Sequence, residues 1–286
     1  MQIAVASGKG GTGKTTVAVS LFHLWKKLTG ETVQLVDCDV EEPNDALFLL
    51  SLKTLEQKQV SQYIPEINTS VCTFCKKCVE WCEFNAITIV ASRKFADVDA
   101  GLCHSCGACL MACPENAIAE KPHPLGIITR YLTENGSDFT EGRLEVGSAM
   151  QTILIKELKK EAIRNVNFTI LDSPPGTSCP VVETVSDADY VILVTEPTPF
   201  GLHDLKITIE LLNELQKPFG VIVNKAGLGS DEVYTFLKEN NIELLGKIPF
   251  SRAFAQSYSS GEMLNDIPEE LENIYGGIIE KIICRK

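Results

Sequence analysis

Apolar residues in this chain fall into short unbroken runs, separated by longer stretches with helical spacing. Ile3-Ala4-Val5-Ala6, Thr32 to Asp37, Phe168 to Asp172, Tyr190 to Thr195 and Phe219 to Asn224 read as buried strands, and Ile242 to Ile248 as a last one. Between them, apolar positions recur every three or four residues and predict helices. Val17, Leu21, Leu24 and Leu28 share one face. Ile153, Leu154, Leu158 and Ala162 share another, in a helix expected over Ala149 to Arg164. Leu202, Leu205, Ile209, Leu212 and Leu215 form a third stripe, with His203 expected to be exposed or capping. The final helix carries Leu271, Ile274, Ile278, Ile279, Ile282 and Ile283 over much of its circumference and few basic residues, so it reads as core rather than as a membrane-surface helix.

Between the first strand and the first helix lies Gly8-Lys9-Gly10-Gly11-Thr12-Gly13-Lys14-Thr15-Thr16. Gly8, four residues, then Gly13-Lys14-Thr15 fits the phosphate-binding loop pattern in full, with the strand and helix flanks that it requires. Glycines let successive N–H groups turn toward phosphate, and the helix N-terminus adds free donors and the positive end of its dipole. In such a loop Lys14 reaches the β- and γ-phosphates and the Thr15 hydroxyl ligates Mg²⁺. Ligands of an open α/β sheet sit beyond the carboxyl ends of its strands. That places Asp39, just past the second strand, to face the γ-phosphate, with Asp37, which ends the strand, behind it. Cys38, between two of these acids, reads as a small buried filler.

Eight of the eleven cysteines form two runs. Cys72, Cys75, Cys78 and Cys82 are spaced C-x2-C-x2-C-x3-C, and Cys103, Cys106, Cys109 and Cys113 repeat that spacing 31 residues later. Asn85-Ala86-Ile87 recurs as Asn116-Ala117-Ile118 at the same offset, which marks an internal duplication. The spacing is that of bacterial ferredoxins with two four-iron four-sulfur clusters, in which the fourth cysteine of each run ligates the other cluster. By that rule one cluster takes Cys72, Cys75, Cys78 and Cys113, and the second takes Cys82, Cys103, Cys106 and Cys109. The fourth cysteine of each run is expected to start a short helix. Structural zinc wants two spaced pairs, and three-plus-one runs fit it poorly. Glu83 follows Cys82 where the pattern has proline, as in Cys113-Pro114. Pro65 and Pro122-His123-Pro124 bracket the unit, giving an inserted domain over 66–124 within a nucleotide domain formed by 1–65 and 125–286.

The loop with Lys9 directly after its first glycine resembles the deviant Walker A loop of the MinD, ParA, Mrp and nitrogenase iron protein superfamily. Asp172-Ser173-Pro174-Pro175-Gly176 resembles the second switch of that superfamily. Over its whole length the chain resembles the MinD-superfamily P-loop ATPases that carry an inserted ferredoxin domain. The resemblance implies a doubly wound, mostly parallel α/β sheet with a small α+β module, and Mg²⁺-dependent ATP hydrolysis. Lys9 would reach the nucleotide of a partner subunit, itself or a close paralogue, in a dimer closed by ATP. Asp39 would orient the attacking water, and Thr15, Asp39 and Asp172 would hold Mg²⁺. Gly8 to Thr16 would bind ATP or ADP, with Asn224 reading the adenine and Pro249-Phe250 walling its pocket. Cys179 stands seven residues after Asp172, where the nitrogenase iron protein has a bridging-cluster ligand; without a second such cysteine it reads as a helix-start thiol. The C-terminal C-x-x-C pair of Mrp carriers is absent, Cys284 standing alone. Two functions fit: ATP-gated electron transfer or redox signalling to a protein partner, and metallocofactor assembly or positioning with structural or sensory clusters.

Composition narrows this further. With 286 residues, 44% hydrophobic and 22% charged, the chain suits one large domain and a small insert. A net charge of −12 argues against nucleic acid as a partner. No basic-then-apolar leader opens the sequence and no apolar stretch reaches the roughly 20 residues that span a bilayer, so a cytoplasmic protein without stable membrane insertion is expected. Cysteine-rich runs in that setting point to metal rather than disulfides.

Overall fold

In the computed structural model, residues 1–49, 51–162, 166–262, 264 and 267–285 are described. The elements in chain order are β1 (Gln2–Ala6), α1 (Lys14–Thr29), β2 (Val33–Asp37), β3 (Lys53–Ile67), α2 (Lys77–Glu80), β4 (Ile87–Val90), β5 (Phe95–Val98) and α3 (Ala108–Ala112). They continue with β6 (Ile118–Leu132), β7 (Asp138–Leu144), α4 (Gln151–Ala162), β8 (Phe168–Asp172), α5 (Cys179–Val185) and β9 (Tyr190–Thr195). The last are α6 (Pro199–Glu214), β10 (Phe219–Ala226), α7 (Glu232–Glu239), β11 (Leu244–Pro249), α8 (Arg252–Ser259) and α9 (Glu269–Ile283). The expected helix end at Arg164 lies outside the described residues.

The main sheet runs β11-β10-β9-β1-β8-β2-β7-β6-β3. The seven strands from β11 to β7 are all parallel to their neighbours. Strands buried on both faces carry no polar alternation, which is why they appear in the sequence as solid apolar runs. Four of the five residues of β1, and all of β2, β8 and β9, are buried. The stretch 125–147 gives more than the plain return to the sheet that the sequence suggests. Most of it forms the end of β6 and all of β7, joined by a five-residue turn in which Thr133 N–H donates to Ser137 O at 3.0 Å. Its alternation is weak because β7 is itself largely buried.

The chain divides into two compact units, one of 1–57, 128–142 and 155–286 and another of 58–127 and 143–154. The residues expected as an insert, 66–124, fall within the second. In the first unit, α1 is sunk in the core rather than laid on it. Val17 to Leu21 are buried without interruption, as are Phe22, Leu24 and Trp25. Leu28, assigned to the buried stripe by periodicity, is 43% exposed, although its side chain reaches α9 beside Gly276. α9 buries Leu271, Tyr275, Ile278, Ile279 and Ile282 against α1 and β11, while Ile274 and Ile283 are only partly covered. That packing agrees with a core helix. Among the described residues no helix is long and apolar enough to cross a membrane.

The second unit has a thin core. Cys78, Cys109, Ile87 and Ile89 form one cluster with Ile67, Phe74, Val98 and Ile118 around it, and Ile64, Ala86 and Cys103 form another. β4 and β5 make an antiparallel hairpin with Ile87 opposite Val98. Cys78, Cys103 and Cys109 are therefore core members of this unit, while Cys75 and Cys106 are exposed.

Trp25 is wholly buried, with its ring 4.6 Å from that of Phe168. Trp25→Ala is expected to cost about 3–5 kcal/mol, whereas Leu28→Ala at its exposed position should cost less than about 1 kcal/mol. Urea unfolding of the two variants beside the wild type measures the difference; equal losses would contradict this placement of α1.

Candidate functional site

The loop 7–13 leaves β1 at the carboxyl edge of the sheet and ends on Gly13, which caps α1 with φ 92°. That left-handed conformation favours glycine, and a Cβ there would collide with the Asn224 side-chain amide. Gly8 is also forced: a Cβ would stand 2.6 Å from the Asp204 carbonyl of α6. Gly10 and Gly11 have open space. The Ser7 hydroxyl donates to the Lys9 carbonyl at 2.8 Å, which turns the loop, and Thr12 is buried beneath it.

Lys14 is buried, and its ammonium donates to Asp172 Oδ1 at 2.9 Å. Thr15 donates to Asp172 Oδ2 at 2.7 Å. The loop, the first turn of α1 and the end of β8 are thus joined through one carboxylate. Burial pushes the Lys14 ammonium toward losing its proton, but Asp172, with Asp45 and Asp39 behind it, outweighs this and its pKa is raised. The charge on Lys14 is locked in.

Asp37, at the end of β2, is fully buried. Its oxygens accept from the backbone N–H groups of Asp39 at 3.0 Å, Asn44 at 2.9 Å and Asp45 at 3.1 Å. It shapes the loop after β2 and so places Asp39, which is part-exposed at the rim. Burial raises the Asp39 carboxyl to about 6, against the pull of Lys14 and with the push of Asp172. Burial, and then the charge of Asp172, raise Asp37 as well.

Lys9 is one-third exposed and stands 3.7 Å from Glu196. Glu196 also pairs with Lys225, whose ammonium donates to the Gly11 carbonyl at 3.1 Å. Asn224 donates to the Thr12 carbonyl at 2.7 Å and accepts from Lys225 N–H at 2.9 Å, so here it braces the loop. It also borders a cavity of about 280 Å³ with Gly11, Gly13, Thr16 and Pro249, backed by Phe250, Phe254 and Tyr258. The expected base-pocket residues therefore do meet, and α8, held by a Ser251 cap, adds the aromatic wall. Sequence reasoning missed Asp45, Glu196, Lys225 and Tyr258. Asp45 had a signal: it is an acid directly before the apolar run Ala46 to Leu49.

In the second unit the structure gathers the cysteines in two crossed sets. Cys72, Cys75, Cys78 and Cys113 line one cavity. Cys82, Cys103, Cys106 and Cys109 line another. The ferredoxin rule assigns the same groupings to two clusters. The repeat extends to the backbone. Phe74 and Ser105, Lys76 and Gly107, and Asn85 and Asn116 all have positive φ at matching places, between 49° and 72°. An aromatic residue held left-handed is an outlier, and the turns it makes point successive N–H groups inward. Phe74, Ala86 and Ala117 N–H groups donate to the sulfurs of Cys72, Cys82 and Cys113 at 3.3–3.4 Å. The short helices differ from expectation: α2 and α3 each carry the third cysteine, and the fourth lies past the helix end. The spacer C-x3-C is one helical turn, and the turn is spent between them. Burial raises the Cys78 and Cys103 thiols, and that of Cys109 to about 11. Among the described residues, the three-ligand group whose atoms close within 4.8 Å is Asp37, Asp45 and Asp172. Neither cysteine set closes to that limit, whereas zinc draws its sulfurs to about 3.8 Å.

Cys38 is buried, as expected of a filler, and burial raises its thiol far above the usual range. Cys179 is exposed at the start of α5, and His203 is exposed on α6.

Residues 3–264 match the sequence model of the CobQ/CobB/MinD/ParA nucleotide binding domain. An uncharacterized protein of Methanocaldococcus jannaschii is 30% identical over 285 residues, covering 98% of both chains. An iron-sulfur cluster carrier protein of the same organism is 24% identical over 305 residues, covering 100% of this chain and 86% of that one. In fold, the chain is similar to the septum site-determining protein MinD of Pyrococcus horikoshii, solved with Mg-ADP, with a TM-score of 0.60, 17% identity, and 98% and 95% of the two chains covered.

The raised Asp39 carboxyl carries a pH signature. The folded state holds this proton more tightly than the unfolded chain, so its contribution to stability is full below about pH 4 and lost as pH rises toward 6. Without Mg²⁺ or nucleotide, wild type should therefore lose thermal stability relative to Asp39→Asn across that window. Melting temperatures of both proteins from pH 4 to 7 test this; a constant difference would contradict it.

Proposed function

The chain belongs to the CobQ/CobB/MinD/ParA nucleotide-binding family, and from that premise we propose that it is a Mg²⁺-dependent ATPase whose ATP-closed dimer acts together with two four-iron four-sulfur clusters. The observation that carries the reading is the coexistence of the braced phosphate loop with two crossed four-cysteine sets in one chain.

In this reading Lys14, the loop N–H groups and Lys9 of a second subunit stabilise charge on the transferred phosphoryl group. Thr15 and Asp172, already hydrogen-bonded to each other, are the residues that would hold Mg²⁺, with Asp39 beside them. Mg²⁺ supplies charge neutralisation across the β- and γ-phosphates. Asp39 orients the attacking water. Adenine lies in the cavity between Pro249 and the loop, where Asn224 must exchange its bond to Thr12 to read it. Hydrolysis yields ADP and inorganic phosphate, and loss of the γ-phosphate contacts reopens the dimer.

The crossed cysteine sets fit two cubane clusters by donor chemistry, N–H···S bonds and a spread wider than one zinc ion allows. Bound clusters would supply one-electron storage. A unit with so thin a core gains from such a staple. The leading reading is ATP-gated electron delivery or redox signalling to a protein partner. The second, iron-sulfur or metallocofactor assembly, is favoured by the likeness to an iron-sulfur cluster carrier protein.

Lys14→Ala should abolish ATP turnover. Lys9→Ala should keep most ATP binding but lose ATP-induced dimerisation in light scattering; a variant that still dimerises refutes the bridging role. Anaerobically purified protein should contain about eight irons per chain. A non-hydrolysable ATP analogue should then shift the cluster potential by roughly 60 mV or more, about 1.4 kcal/mol of coupling for one electron. Full clusters without a shift would favour the assembly reading, and stoichiometric zinc without iron would overturn both.

A further inference from the structure

Asp45 opens the short helical turn Asp45–Phe48 and is completely buried. Its backbone N–H is spent on Asp37, yet neither side-chain oxygen meets a hydrogen-bond donor. What faces them is carboxylate. Ligand oxygens of Asp37, Asp45 and Asp172 lie within 4.8 Å of one another. The basic group among them is Lys14, 2.9 Å from Asp172. With all three carboxyl groups ionised against one ammonium, two negative charges are left over among fully buried side chains. Uncompensated buried charge is costly, and a buried carboxylate without a donor is costlier still.

We propose that Asp37, Asp45 and Asp172 form a divalent-cation site that takes a hard cation without any nucleotide present. The charge of such an ion equals the deficit. The donors are all oxygen, the set preferred by Mg²⁺, Mn²⁺ and Ca²⁺. Each carboxylate keeps lone pairs for it. Asp37 accepts one N–H on Oδ1 and two on Oδ2, and Asp172 accepts one bond from Lys14 and one from Thr15, while Asp45 is wholly uncommitted. Metal–oxygen distances of about 2.3–2.6 Å for Ca²⁺ span opposite oxygens roughly 5 Å apart, and Mg²⁺ needs about 4 Å, so the trio suits the larger ions as it stands and the smaller with slight contraction. This site goes beyond the Mg²⁺ of the proposed ATPase. That ion uses phosphate oxygens with Thr15, Asp39 and Asp172, whereas this one depends on Asp45 and needs no phosphate. The two share Asp172, so a cation held here stands ready at the loop before nucleotide arrives.

The test titrates Mn²⁺ into the full, nucleotide-free chain and follows the free-ion signal by electron paramagnetic resonance. Wild type should bind one Mn²⁺ per chain, displaceable by Mg²⁺ or Ca²⁺, and should melt at a higher temperature when loaded. Asp45→Asn should bind at least about tenfold more weakly and lose the rise in melting temperature, with Asp45→Ser standing in if the first variant does not fold. Asp39→Asn should bind as wild type does. No Mn²⁺ bound by wild type, or equal binding by the Asp45 variants, overturns the proposal. Turnover of wild type with Mg-ATP, measured alongside, separates the two readings: turnover without nucleotide-free Mn²⁺ binding overturns this site alone, and Mn²⁺ binding without turnover overturns the ATPase alone.

Discussion

The nucleotide-binding unit depends on one buried ion pair, Lys14 with Asp172. The lysine comes from the first turn of α1 and the aspartate from the end of β8, 158 residues later. Thr15 takes the other oxygen of the same carboxylate. Removing one partner of such a pair typically costs about 3–5 kcal/mol, because the remaining charge stays buried and unpaired. The pair therefore ties the phosphate loop to the strand that leads into the Pro-Pro-Gly segment. A phosphate entering the loop competes with Asp172 for Lys14, and a metal competes with Thr15 for Asp172. Any such exchange acts directly on the residues that follow β8. The same applies at the rim, where Lys9 and Lys225 share Glu196. The unliganded loop is held by partners that a polyphosphate is chemically suited to replace.

The cysteine-bearing unit is organised by a different constraint. Cys78, Cys103 and Cys109 belong to its thin core, and its loops are bent through left-handed positions that cost conformational energy. Sequence duplication has become conformational duplication: each positive-φ residue of the first run has its counterpart 31 residues on. The crossing of the fourth cysteines follows from the short helices. One turn separates the third thiol from the fourth and carries the fourth to the opposite cavity. Two repeats thereby become mutually dependent, since neither completes its own set.

Some features were invisible before the chain was folded. Leu28 keeps perfect helical spacing and is exposed, because spacing reports the helix and not how completely its neighbours cover it. The β6–β7 hairpin was unread because a largely buried strand such as β7 loses the alternation that would betray it. Asn224 was expected to face a ligand, yet it also holds the Thr12 carbonyl, a contact between residues 212 apart. Asp45 looked like one more polar residue in a loop, and only burial among other carboxylates gives it meaning.

What the amino-acid sequence determined by itself was whatever depends on local spacing. A glycine-rich loop between a strand and a helix, acids at strand ends, and thiols three and four residues apart are constraints of covalent reach, and a chain carries them wherever it goes. The family follows from those motifs. Tertiary structure alone decided the electrostatics. The pairing of Lys14 with Asp172, the gathering of Asp37, Asp45 and Asp172, and the bracing of the loop by Glu196, Asn224 and Lys225 join residues from distant strands. Their energies come from burial and from distances of a few ångströms, and neither is written in the order of the residues.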